Sequence, residues 1–356
     1  MELTEVLGRV QFSIAKEEKS SIMLDLLNNL HKTHYASCDP YNNIINVMFG
    51  NKRSFNSIEE LPFLPVSIFK NHGIKSIKED QVFKVLTSSG TTGQSVSHIY
   101  LDRETAQLQT LALSKIINSV LGNTRLPMLI IDSKAVFANK ESFSARGAGI
   151  LGLSVFGRDH TYVLDENFDL DVNTLITFLE KYDGQPIFIF GFTFMVWQYL
   201  SQVNLNKKYD LGKAIMIHSG GWKKLKDIAV DNETFRSAFA DKFGIKDIYN
   251  FYGMIEQIGS VFLENSDGNM QCPNFADVII RNPKDFSVQP DGEKGLIQVI
   301  SALPKSYPGH SLLTEDIGII TGEDNASNGW KGKNFKILGR AKKAELRGCS
   351  DTFKKA

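Results

Sequence analysis

From about residue 80 to residue 252 the chain alternates short apolar runs with amphipathic stretches, and this alternation narrows the fold more than any other feature. "FKVL", "PMLIID", "PIFIF", "KAIMIHS" and "DIYNFY" are too short for buried helices and are rich in β-branched and aromatic residues. Between them, "DRETAQLQTLALSKIINSVL", "DVNTLITFLEKY" and "NETFRSAFADKF" place apolar residues at helical spacing. Strands alternating with helices predict an α/β fold built on a layered sheet. After residue 275 the helical pattern stops. "GLIQVIS", "DIGIITG" and "FKILGR" read as strands separated by Gly, Pro and Asp turns, a smaller β-rich region that closes the fold. Ahead of the alternation, residues 1–50 read as mostly helical, with a serine pair at Ser20–Ser21 placed to cap "IMLDLLNNLHKTHY". "LPFLPVSIFK" contains two prolines and reads as an extended connector. The expected organisation is a helical N-terminal region with its connector (1–80), a core (81–338) and a short C-terminal arm (339–356).

Composition limits the class of partner. Forty basic residues balance forty acidic ones, so no net field favours nucleic acid or an anionic membrane. The three cysteines, Cys38, Cys272 and Cys349, are far apart and include no C-x-x-C, which argues against a zinc cluster or a disulfide framework. Cys272 reads as lying in a polar loop. The N-terminus lacks a basic start followed by an apolar run, and no apolar stretch reaches membrane-spanning length. The expected location is cytoplasmic.

One loop stands out. In "VLTSSGTTGQSVSH", seven small residues, Thr87, Ser88, Ser89, Gly90, Thr91, Thr92 and Gly93, follow an apolar strand. Backbone amides and hydroxyls at such density form an anion-binding concavity, and the expected context is strand, loop, helix. A plain polar turn is the alternative. No lysine follows Gly93, so this is not a GxxxxGK[ST] loop.

"SSGTTG" resembles the phosphate loop of the adenylate-forming superfamily: acyl-CoA synthetases, luciferases and peptide-synthetase adenylation domains. Three further motifs of that superfamily follow in order. "FYGMIE" supplies Tyr252, Gly253 and Glu256, "LLTEDIGII" supplies Thr314 and Asp316, and "ILGRAKKAELRG" supplies Gly339 and Arg340. Within the superfamily, "LPVSIFK", "HSGGWKK", "GLIQVISALPKSYPGHSLLTEDIGII" and "LRGCS" resemble the LuxE-type acyl-protein synthetases. The likeness covers most of the chain and is weakest in the first 50 residues and around 140–190.

The resemblance implies a reaction and a set of roles. A carboxylic acid, expected to be of the fatty class, is activated by ATP as acyl-AMP and then passed to a thiol. Thr87 to Gly93 hold the β- and γ-phosphates, and Thr92 and Glu256 place Mg²⁺. Asp316 accepts hydrogen bonds from the ribose hydroxyls, and Arg340 reaches ribose or phosphate. Gly220 and Gly221 leave room for adenine, and Tyr252 stacks on it. Cys349 accepts the acyl group for delivery to an acyl reductase or an acyl-carrier protein. Two alternatives stay open: a ligase using CoA or a carrier protein as acceptor, and a degenerate nucleotide-binding subunit of a larger complex. The chain departs from the superfamily pattern in two places. Gln94-Ser95-Val96 stands where proline and lysine usually follow the loop, and no full C-terminal domain is expected. An acyl pocket is expected around 140–195, although Phe188 and Phe190 read as core residues.

Overall fold

The computed structural model describes residues 1–88, 96–137, 145–205, 207–222, 227 and 229–341. They fall into two compact units, one of residues 1–119 and 252–341, the other of residues 120–251.

The first unit begins with helices α1 (Leu3–Gly8), α2 (Lys16–Ser37) and α3 (Asp39–Phe49). Ser20 and Ser21 do not cap α2, because the helix starts four residues earlier. Its N-cap is Ala15, which makes no side-chain cap, and the Lys16 amide instead donates to Asp324 Oδ2 at 2.9 Å. A carboxylate from distant sequence thus satisfies an orphan amide and suits the helix N-terminus.

The connector is more structured than its prolines suggest. Strand β1 (Leu64–Pro65) pairs in parallel with Leu312 and Leu313, and α4 (Ile68–Asn71) adds one helical turn. Strands β2 (Lys84–Thr87) and β3 (His98–Leu101) then form an antiparallel hairpin, followed by α5 (Arg103–Leu121).

The second unit is a parallel sheet. In chain order it holds β4 (Leu126–Ser133), α6 (Ala145–Ser154), β5 (Gly157–Leu164), α7 (Val172–Lys181), β6 (Phe188–Phe192), the single turn α8 (Thr193–Met195), β7 (Ile215–Ser219), α9 (Asn232–Phe243) and β8 (Asp247–Tyr252). The spatial order is β5-β4-β6-β7-β8, every pairing parallel. This is a doubly wound arrangement whose order reverses between β4 and β6. Met128 to Ile131 and Phe188 to Phe190 are sealed from solvent, as strands buried on both faces must be. Phe188 and Phe190 therefore pack the core rather than line a pocket. Helix α9 shows why its ends were readable: Asp231 caps Thr234 N at 2.8 Å, and Gly244 closes the C-terminus in the left-handed region.

The first unit is completed by strands β9 (Phe262–Glu264), β10 (Met270–Gln271), β11 (Ala276–Arg281), β12 (Gly295–Ser301), β13 (Ser311–Glu323) and β14 (Lys333–Arg340). They pair antiparallel in the order β11-β12-β13-β14-β10-β9. Cys272, read from sequence as part of a polar loop, is fully buried, and its amide donates to Lys333 O at 2.9 Å. The polar neighbours that suggested a loop are absorbed by the ladder: Gln271 is buried too, its amide donating to Lys331 O and Gly332 O. The α/β class read from the sequence is the class observed.

Candidate functional site

Strand β13 carries Asp316 and strand β14 ends on Arg340, and the ladder register sets these two residues opposite each other. A bulge near Gly318 and Ile337 shifts the pairing just before this point. Arg340 Nε lies 3.4 Å from Asp316 Oδ1, and its Nη2 donates to Glu315 Oε2 at 2.7 Å. The third partner is Tyr252, whose hydroxyl donates to Asp316 Oδ2 at 2.7 Å. Burial, then the adjacent Asp316 charge, pushes the Tyr252 phenol well above its usual range, so it stays a neutral donor. The Tyr252 ring sits among Phe262 and Phe335. The Asp316 backbone is itself held, its amide donating to Thr314 Oγ1 while that hydroxyl donates to Ile297 O. Three residues named by separate motifs are thus joined by a hydrogen bond and an ion pair, with a partly buried carboxylate at their centre.

Glu256 lies on a single 3₁₀ turn, Ile255–Gln257. Its carboxylate is buried and accepts from Ser97 Oγ at 2.6 Å, while its backbone carbonyl accepts from Tyr307 OH at 2.9 Å. Gly253, two residues earlier on the turn's approach, is exposed. Gly259 closes the turn at φ +87°, where a Cβ would stand 2.7 Å from Gln109 O, so both backbone conformation and space demand glycine.

Ser97 in turn defines the base of the small-residue loop. Ser97 N donates to Ser88 Oγ at 2.8 Å, and Ser88 N donates to Ser97 O at 3.1 Å. Thr87 pairs with His98. The loop therefore joins two antiparallel strands, and the expected strand–loop–helix context is corrected: α5 begins only after β3. The sequence reading overlooked β3 because "HIYL" is short and follows the loop directly. Thr87 and Ser88 are in place at the loop's entry. Ser89, Gly90, Thr91, Thr92 and Gly93 lie outside the described residues, as does Cys349.

Gly220 and Gly221 follow β7 in the second unit. Gly220 is exposed at φ +83°, and a Cβ there would press to 3.2 Å from Phe192 Cδ1. Just ahead of them on β7, before Ser219, His218 is buried, bonded to Thr193 Oγ1 at 2.9 Å and tilted against the Phe235 ring. Burial pushes its imidazole down to about 3. At the carboxyl end of β4, Asp132 pairs with Arg146 at 3.1 Å, both almost fully buried, and burial raises the Asp132 carboxyl to about 6.

Glu256 and the hydroxyls beside it are hard oxygen donors. Mg²⁺ accompanying nucleotide phosphates needs only one or two protein carboxylates, so this donor set fits it. Among the described residues no group of three or more His, Cys, Asp or Glu could hold a metal ion alone, and no helix is long and apolar enough to cross a membrane.

Comparison with known proteins identifies the family and the fold. Residues 3–356 match the family described as acyl-protein synthetase, LuxE, including the stretches where the sequence likeness was weakest. The long-chain-fatty-acid–luciferin-component ligase of Vibrio harveyi is 23% identical over 357 residues, covering 96% of this chain and 89% of that protein. The protein of the same name from Aliivibrio fischeri is 23% identical over 347 residues, covering 94% and 88%. Among solved structures, 2-hydroxyisobutyryl-CoA ligase in complex with 2-HIB-AMP and CoA superposes with a TM-score of 0.68 at 15% identity, over 92% of this chain and 76% of that one. ATP-bound MatB from Rhodopseudomonas palustris gives a TM-score of 0.50 at 17% identity, over 74% of this chain and 49% of that one.

Proposed function

This chain belongs to the LuxE family of acyl-protein synthetases, and from that premise we propose that it activates a carboxylic acid, of the fatty class, as an acyl adenylate. The observation that carries the proposal is the Tyr252–Asp316–Arg340 group, which holds an oriented carboxylate opposite the end of strand β14. An ionised carboxylate fixed from two sides accepts two hydroxyl donors at once, which is what the ribose of ATP offers. Arg340, beside it, brings positive charge toward the ribose and phosphates.

In the first half-reaction an oxygen of the substrate carboxylate attacks the α-phosphate, the bond to the β-phosphate breaks, and pyrophosphate leaves. No protein nucleophile is required, so the chain's work is positioning and charge stabilisation. Thr87 to Gly93 direct amides and hydroxyls at the β- and γ-phosphates. Gly220 and Gly221 leave room for adenine, and the Tyr252 ring offers it a face. Mg²⁺, when bound, supplies charge neutralisation at the phosphates, with Glu256 and Thr92 as its protein donors.

In the second half-reaction a thiolate attacks the acyl carbonyl, AMP leaves, and a thioester forms. Cys349 is our candidate for that thiol, with Arg347, Lys354 and Lys355 near it in sequence to favour the thiolate. The acyl group is then delivered to an acyl reductase or an acyl-carrier protein.

Acid-dependent exchange of pyrophosphate into ATP, measured with Mg²⁺ across fatty, aromatic and short-chain acids, tests the proposal. Exchange with one acid class, abolished in Asp316→Ala, is the expected result. Nucleotide binding without exchange for any acid would overturn it in favour of a non-catalytic subunit.

A further inference from the structure

Ser97 belongs to none of the motifs, yet it is fully buried and its backbone and side chain bind two parts of the site. Its N–H and C=O close a two-way bridge with Ser88, fixing the separation of the strand ends that flank the loop. Its hydroxyl donates to Glu256 Oε1 at 2.6 Å, 159 residues away in sequence. The chain at Glu256 is already anchored: Tyr307 OH donates to the Glu256 carbonyl, and the side-chain Nε2 of the neighbouring Gln257 donates to Gly309 O at 2.7 Å and Val299 O at 3.2 Å. With the backbone held, the remaining freedom lies in the three side-chain torsions of Glu256. A short hydrogen bond to one carboxylate oxygen helps to fix them.

We infer that Ser97 is a positioning residue for Glu256: one hydroxyl on the loop's closing residue sets where the carboxylate points relative to the loop's base. Glu256 and the strand ends then act as a unit when the nucleotide and its cation bind. The inference rests on the reading of Glu256 as a residue serving ATP and Mg²⁺.

The test uses the full chain with Ser97→Ala, Ser97→Thr, Glu256→Gln and the double variant Ser97→Ala/Glu256→Gln. Calorimetric binding of ATP with and without Mg²⁺ is measured beside KM, kcat and the half-maximal Mg²⁺ concentration in pyrophosphate exchange. Ser97→Ala is expected to raise the half-maximal Mg²⁺ concentration and KM for ATP about tenfold, the loss of one buried side-chain hydrogen bond. ATP binding without Mg²⁺ should stay near the wild-type value, Ser97→Thr should restore the Mg²⁺ response, and the double variant should be no worse than Glu256→Gln alone. A Ser97→Ala effect that multiplies with that of Glu256→Gln, or one that lowers the melting temperature without moving the Mg²⁺ response, would overturn the inference. Wild-type protein that binds ATP identically with and without Mg²⁺ and shows no exchange would overturn the underlying reading instead.

Discussion

Asp316 and Arg340 stand opposite each other in the β13–β14 ladder, and the one guanidinium reaches both Asp316 and its neighbour Glu315. These side chains are a fifth to a third exposed, a setting in which ion pairs contribute about 0–1 kcal/mol to stability. Orientation is therefore the larger consequence of the contact. Arg340→Ala should move the melting temperature by no more than about 2 °C and raise KM for ATP about fivefold or more. A large loss of thermal stability with an unchanged KM would show the pair to be structural.

Tyr252→Phe removes one hydroxyl and leaves the ring between Phe262 and Phe335. The Asp316 carboxylate then loses its 2.7 Å donor. A hydrogen bond to a charged group is worth about 1.5–3 kcal/mol, so ATP affinity should fall roughly tenfold or more. Isothermal titration of ATP into both proteins decides this, and equal affinities would mean Asp316 is held without Tyr252.

Acid should destabilise the fold through buried histidines. His31, His34 and His310 cluster with Tyr41 in the first unit, and His34 stacks on His310. Burial lowers His31, takes His34 to about 3 and lowers His310 well below its usual range; His218 in the second unit also falls to about 3. Unfolded histidine titrates near 6.5, so below that pH the unfolded chain binds protons that the folded chain does not. The stabilisation is complete above about 6.5 and drains away as pH falls toward 3. At pH 5 each strongly lowered histidine costs about 2 kcal/mol. Asp132, raised to about 6, acts in the opposite direction, but it is one group against four. The urea midpoint should be clearly lower at pH 5 than at pH 7.5; coincident midpoints would contradict this account.

Gly259→Ala combines a left-handed backbone with a Cβ placed 2.7 Å from Gln109 O. The turn carrying Glu256 would have to shift, at a cost of about 2–4 kcal/mol. Urea denaturation should show that loss together with weakened exchange. A variant of wild-type stability would mean the turn relaxes freely.

Cys349→Ser separates the two half-reactions. Pyrophosphate exchange should persist, while a hydroxylamine-labile acyl adduct on the protein should vanish. An adduct that survives would move the acceptor elsewhere.

Much of this architecture was readable because its signals are local. Strand β12 and helix α9 have the ends the sequence suggested, since an apolar run bounded by turn residues and an Asp–Gly pair of caps each lie within a few residues of the element. What escaped depends on distant residues. The start of α2 is decided by Asp324, 308 positions away, and no pattern around Ser20 reports it. Cys272 is drawn inside by Lys333 across the ladder. Tyr252, Glu256, Asp316 and Arg340 were each legible as motif residues, but the bond from Ser97 to Glu256 has no local signature.

The first unit is assembled from two separated pieces of chain, and that has a consequence for synthesis. His34 Nε2 donates to Pro304 O, 270 residues further along, and α2 buries Ile22, Met23, Leu27 and Leu30. At 5–20 residues per second, a ribosome needs about 15–55 s to make the intervening chain. Residues 120–251 are contiguous, so the chain of that unit is complete before then. Helix α2 thus leaves the ribosome well before the residues that enclose it, and its apolar face must be kept from other chains in the meantime.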